Sequence, residues 1–208
     1  QFTPDPPVPF STEKTSQFYK LANEVYTAVD SNKEEKMEIA NFWDCNPYVM
    51  HQQGHLMMAT KKITPGGHWM GIVGLVTRKA GLDMVGTAEA YAMVSIGLFD
   101  GFISCWDEKF RSNVIRPETY INRFIDPDWE PTLQTPPFPE HTSGHSVISS
   151  ASCVILTKMF GDNFAFEDST EVPYNLPVRS FKSFKEAADE ASISRFYGGI
   201  HFMPAIEY

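Results

Sequence analysis

Basic charge is scarce in this chain: 17 Lys and Arg stand against 26 Asp and Glu, a formal net charge of −9. That deficit argues against a general nucleic-acid binder or a partner for anionic membranes. It also means that any anion must be held in a local basic pocket set against the global charge. Long apolar runs are lacking too. The stretches 72–76 and 94–99 are broken by Gly and Ser and fall well short of the roughly 20 residues of a membrane span. The three cysteines, Cys45, Cys105 and Cys153, show no metal-type spacing, and an odd count gives no complete disulfide framework, so buried thiols are expected. No internal repeat, low-complexity segment or convincing strand is visible, because alternating runs are short and scattered. No signal peptide is visible either, and the first residue is Gln1. A periplasmic or secreted location is the expectation.

What is present is apolar bulk. In 208 residues, 42% are hydrophobic and 13% aromatic, enough for one good-sized core or two small ones. Helical spacing dominates, so the expected architecture is all-α, a helical bundle. Residues 1–14 are proline-rich and read as an extended arm or linker remnant. Residues 15–208 read as one helical domain, truncated at one or both ends. Helical patterns are expected over 15–30, 32–42, 51–62, 69–78 and 83–110. In the last of these, Ala88, Tyr91, Ala92, Ser95, Ile96, Phe99, Ile103 and Trp106 form a broad apolar stripe. Asn46–Pro47 marks a break, and Pro65–Gly67 is expected to end a helix. Residues 121–135 and 161–177 read as loops, and Ser180 or Ser183 is expected to cap a last helix. His51 and His55 share a face if 51–62 is helical, but no Glu completes a metal motif and no third ligand is evident, so a packed or surface pair is favoured.

Three groups carry chemistry. Lys109 and Arg116 are seven apart, with Pro117 next, where it is expected to stop the helix. On one helix their positions would lie roughly 10 Å apart along the axis, within reach of a single anion. Ser143–Gly144–His145 follows a Pro-rich stretch and opens an apolar helical pattern. A hydroxyl, a bare backbone and an imidazole therefore sit at a helix start, where unpaired N–H groups and the helix dipole favour an anion. Finally, a helix arrives at Ser194–Arg195 and runs through Gly198–Gly199 to His201. There the glycines loosen the backbone, Arg195 offers a planar fork of donors and His201 a ring nitrogen.

Together, K-x6-R-P, S-G-H and S-R-x5-H resemble the vanadium-dependent haloperoxidase and acid phosphatase superfamily. The likeness spans Asp100 to His201. The wording DGFISCWDEKF, TPPFPEHTSGHS and SRFYGGIHF is most similar to bacterial soluble vanadium haloperoxidases. The resemblance implies a helical bundle and a vanadate cofactor, with phosphate fitting the same site. Lys109, Arg116 and Arg195 would bind vanadate oxygens, Ser143 would give a hydroxyl and Gly144 a backbone N–H. His201 would ligate vanadium and His145 would act as the acid–base group. Lys109 would polarise bound peroxide, and Trp106 and Phe138 occupy positions that line the halide pocket in the family. The implied partners are hydrogen peroxide, a halide (iodide or bromide before chloride) and small organic acceptors. No nucleic acid and no membrane span are expected, and a homo-oligomer is left open.

The sequence departs from the family's pattern at two points. Thr142 stands where Pro usually precedes S-G-H. Ala205 stands where the phosphatase branch has the Asp that orients its nucleophilic His, which weakens the alternative of an acid phosphatase acting through a phosphohistidine. Glu207 is a candidate to orient His201 instead, and His141 is expected at the rim of the site.

Overall fold

A computed structural model describes residues 3–31, 34–45, 48–53, 56–61 and 63–207. Helices carry the fold, as the spacing predicts. Helix α1 (Gln17–Asp30) is capped by Ser16, whose hydroxyl accepts from the Tyr19 N–H, and it buries Phe18, Ala22 and Val25. The short α2 (Glu34–Phe42) starts with Glu34 and Glu35, which suit the positive end of its dipole.

Helix α3 spans Pro65–Lys79 and is capped by Thr64. Pro65 therefore starts a helix rather than ending one: its missing N–H costs nothing in the first turn. The preceding segment is also not helical. Strands β1 (Tyr48–Gln53) and β2 (Leu56–Lys61) pair antiparallel. His51 lies on β1, so the helical face that would have joined it to His55 does not form; His55 lies outside the described residues.

Helix α4 (Met84–Ser112) is capped by Asp83 and ends at Asn113, which takes the left-handed conformation at φ 50°. Helix α5 (Pro117–Phe124) then begins, with Arg116 at its N-cap. Lys109 and Arg116 thus sit on two helices around a sharp turn, not on one face of a continuous helix. Pro117 opens the second helix instead of stopping the first, and α5 occupies part of the expected 121–135 loop.

Helix α6 (Gly144–Phe160) is capped by Ser143, and α7 (Phe184–Tyr197) by Ser183. Between them, β3 (Phe166–Asp168) pairs antiparallel with β4 (Arg179–Phe181). The two small sheets are additions to a helical architecture.

Helix α6 lies at the centre, packed between α4 and α7, with α3 against both α4 and α6. The main core joins Trp43, Trp69, Ile72, Val76, Val94, Ile148, Leu156 and Phe184. Close approach of α4 and α6 depends on Gly97, where a Cβ would stand 2.4 Å from Ile155 Cδ1. A second cluster, Phe18, Val25, Tyr120, Ile121, Trp129 and Phe202, fastens α1 and α5 beside the segment that follows α7. The N-terminal arm is part of this cluster's surroundings. Phe10 packs on Phe18 and Tyr120, and Ser11 O accepts from the Tyr120 hydroxyl at 2.7 Å.

The apolar stripe on α4 points the other way from the expectation. Ala90, Val94, Leu98 and Cys105 face the core, while Ile96, Phe99 and Ile103 are exposed. By length and composition Met84–Phe124 passes as a membrane span, but it is two helices broken at Asn113, and α4 packs along α3 and α6.

Candidate active site

Three polypeptide turns meet at one end of the bundle: the α4–α5 turn, the start of α6 and the residues after α7. Gly199 makes the last of these possible. Its φ is +75°, and a side chain there would crowd Val29 Cγ2 at 2.9 Å. The chain then reverses so that Ser143 N donates to Ala205 O at 2.8 Å, tying the His201 segment to the tip of α6. Gly144, His145, Arg195 and His201 line one cavity of about 170 Å³. Its apolar wall is Phe102, Trp106, Pro136 and Phe138, with Cys45, Pro65 and Ile200 completing it.

The cations around this cavity are buried. Lys109 is fully so, donating from Nζ to the carbonyls of Pro139 and Glu140, both at 2.9 Å. It does not line the cavity itself, and its third N–H is left over. Its ammonium stands over the rings of Phe138 and Trp106, 5.3 and 5.8 Å from their centroids. Arg116 donates from Nε to Phe138 O and from Nη1 to Ile200 O, both at 2.8 Å, while Nη2 is buried with no hydrogen-bond partner among the described residues. Arg195 donates to Ser194 Oγ and, at 2.6 Å, to Trp43 O. Burial makes these charges costly. It pulls Lys109 down to about 8, with Arg116 adding to the effect, and pulls Arg116 down to about 10. Arg195 is lowered by burial as well. Buried cations with excess positive charge and spare donors are poised to take an anion.

The imidazole of His201 sits among them. Its Nδ1 meets Glu140 Oε1 at 2.7 Å, and its Nε2 meets Arg116 Nη1 at 3.1 Å. A guanidinium can only donate, so Nε2 presents its lone pair and the proton resides on Nδ1, facing the carboxylate. Burial, then Arg116, Lys109 and Arg195, push this histidine well below the ordinary imidazole range, so it is neutral. Glu140 is buried and also accepts from Phe202 N at 3.0 Å. Burial raises its carboxyl to about 7. Glu140, not the exposed Glu207, orients His201. Its place beside the S-G-H motif gives no hint of a partner sixty residues downstream.

At the tip of α6, the Ser143 hydroxyl accepts from Ser146 N at 3.3 Å, which leaves its proton to donate elsewhere. A side chain at Gly144 would meet Trp106 at 3.4 Å. His145 keeps part of its ring open to the cavity, yet its Nε2 is buried with no hydrogen-bond partner. Burial, followed by the Arg195 charge, holds it well below the usual imidazole range. Trp106 and Phe138 lie 5.1 Å apart, ring centre to ring centre. His141 is not a rim residue. It is buried, lies outside the cavity lining and borders a separate pocket with Pro7, Val8 and Phe18.

The expected residues therefore come together, with Glu140 added. Fold and cavity define a helical-bundle protein with a largely apolar pocket that Gly144, His145, Arg195 and His201 also line, beside the buried Lys109 and Arg116. A family model described as the VCPO second helical-bundle domain matches residues 89–208, and the chain belongs to that family, within the vanadium haloperoxidases. Among solved structures, it is similar to a bacterial vanadium-dependent iodoperoxidase, with 58% identity and a TM-score of 0.92 over 100% of this chain and 49% of the other. A holo-type bacterial vanadium-dependent chloroperoxidase matches at 16% identity and a TM-score of 0.66, covering 91% of this chain and 43% of that one. The apo-type form matches at 17% and 0.69, covering 91% and 44%. These last two show the fold alone. The chain spans about half the length of the solved structures it matches. No curated protein matches it significantly.

Proposed function

We propose that this chain supplies the vanadate site of a haloperoxidase, which oxidises halide with hydrogen peroxide to hypohalous acid. The observation that carries the reading is the pairing of a neutral, lone-pair-bearing His201 Nε2 with buried cations, one of which keeps a partnerless guanidinium nitrogen. The donor set fits a tetrahedral oxyanion that also accepts one nitrogen ligand. His201 would hold vanadium through Nε2, with Arg116 Nη1 turning from that nitrogen to the bound oxygens and Glu140 fixing the tautomer. Arg116, Arg195 and the Ser143 hydroxyl would bind the oxygens, together with the first N–H groups of α6 at Gly144. When bound, such a group contributes Lewis-acid activation of peroxide towards halide without a change in the metal's oxidation state.

The remaining work falls to the chain. Lys109, with one N–H to spare, would polarise a bound oxygen. His145, neutral and with an unpartnered Nε2, accepts a proton from a group in the cavity and returns it later. Trp106, Phe102 and Phe138 exclude water and offer a polarisable apolar wall, which favours a large, weakly hydrated anion. Iodide or bromide is the expected substrate ahead of chloride, and the name of the 58%-identical relative points to iodide.

A second reading keeps one specific support. Phosphomonoester hydrolysis through a phosphohistidine needs a carboxylate on the far nitrogen of its nucleophile, and Glu140 supplies one despite Ala205. The test is peroxide-dependent oxidation of iodide and bromide with and without orthovanadate, run beside phosphomonoester hydrolysis. Vanadate-dependent halide oxidation is the expected result. Strong hydrolysis with no vanadate-dependent oxidation would reverse the order.

A further inference from the structure

A second buried cluster lies beside the cavity and takes no part in the chemistry above. His68, on the first turns of α3, is fully buried and stacks on Trp43 with ring centres 4.5 Å apart. Its Nε2 meets Asp168 Oδ2 at 2.7 Å. Asp168 is itself fixed, because its other oxygen accepts from Thr170 N at 3.0 Å and Thr170 Oγ1 at 2.6 Å. On the opposite side of the ring, His68 Nδ1 faces Cys45 Sγ at 3.4 Å and Glu171 Oε1 at 3.2 Å. The sulfur, nitrogen and oxygen all lie within 4.8 Å of one another, and all three residues are buried.

We propose that Cys45, His68 and Glu171 form a three-ligand site for a borderline-soft divalent cation of the zinc class, with Asp168 orienting His68. The first argument is dimensional. Tetrahedral bonds of about 2.3 Å to sulfur and about 2.0–2.1 Å to nitrogen and oxygen give edges of about 3.6 Å for N to S and about 3.3 Å for N to O. The observed edges are 3.4 and 3.2 Å. The second argument is the outer partner. An imidazole that ligates a metal commonly donates its other N–H to a carboxylate, which fixes ring and tautomer, and Asp168 does this for Nε2. The third is donor chemistry: one thiol, one imidazole and one carboxylate suit zinc or cobalt and not calcium or magnesium. Cys45 also lines the cavity, which gives the cation a path in. On binding, Cys45 releases its thiol proton and His68 its Nδ1 proton to solvent, and His68 then coordinates through Nδ1. The ion would then brace residues 43–45, whose Trp43 carbonyl anchors Arg195.

The test needs neither vanadate nor halide. The whole chain, stripped with chelator, is titrated with Co2+ and then with Zn2+. One Co2+ per chain with a thiolate-to-cobalt charge-transfer band, displaced by Zn2+, is expected. Cys45→Ser should abolish the band, while Cys105→Ser keeps it. Asp168→Asn should weaken binding by about 10- to 100-fold. X-ray absorption of the zinc-loaded wild type requires no variant and should show one sulfur at about 2.3 Å beside nitrogen and oxygen neighbours. Absence of stoichiometric uptake, a sulfur-free shell, or an undiminished band in folded Cys45→Ser would each overturn the site.

Discussion

His68 and His201 are both buried, and each meets a carboxylate at 2.7 Å, yet they end in opposite charge states. Burial lowers the affinity of both for a second proton. At His68, the hydrogen bonds to Asp168 and Cys45 outweigh it, and the imidazole is driven up to about 10. At His201, Arg116, Lys109 and Arg195 act in the same direction as burial, and the ring stays neutral. The carboxylate contact alone therefore does not decide protonation; the sign of the next layer does. Around His68 that layer is acceptors, a setting for a proton or a metal ion. Around His201 it is donors, a setting for an anion. The two centres are charge inverses built from the same pair of side chains.

The strongest way to break the comparison is to remove the cation that touches His201. Arg116→Met keeps bulk and deletes the donor to Nε2. Hydrogen bonds to charged groups contribute about 1.5–3 kcal/mol, so orthophosphate affinity should fall by roughly 10- to 100-fold. Calorimetric titration of the purified chain measures this. Unchanged phosphate binding would show that the cationic layer does not define the site.

A smaller effect sharpens the contrast through pH. In the free site Lys109 titrates at about 8, lowered from 10.5 by burial and Arg116. An incoming anion favours the charged ammonium, so above pH 8 binding must take up a proton. Phosphate affinity should therefore decline as pH rises past 8, by up to about tenfold per pH unit. In Lys109→Met that slope should disappear. A slope that survives the substitution would assign the proton to another group.

Much of the candidate site was legible because its residues carry their chemistry in type and order. Gly144, His145, Arg195 and His201 line one cavity, and Lys109, Arg116 and Ser143 are buried close to it. The geometry between them was not legible. Two cations seven positions apart fit a continuous helix, and only Asn113 in the left-handed conformation shows that the chain turns instead. Pro65 and Pro117 read as stops because proline ends helices, but it serves equally well in a first turn. The β1–β2 hairpin was missed because short apolar runs suit either period. Glu140 and the Cys45–His68–Asp168 network were invisible for a different reason. Their partners are 61, 23 and 100 residues away, so no local spacing reports them.

The smallest expected effect concerns Glu140, the carboxylate half of the His201 pair. In the unfolded chain it titrates at 4.5, and in the folded chain burial raises it to about 7. Between those values the folded state holds the extra proton. Its contribution to stability is thus fully present below pH 4.5 and is lost as pH rises through 7. Urea unfolding of wild type and Glu140→Gln across pH 4.5 to 8 should then give a difference that moves against wild type up to about pH 7 and levels above it. The same series on Asp168→Asn should also move against wild type, but chiefly above pH 6.5 and still falling at pH 8, because His68 holds its extra proton up to about 10. Parallel curves for the two variants would mean that both histidines answer to their carboxylates alone, and the distinction between the two layers would fall.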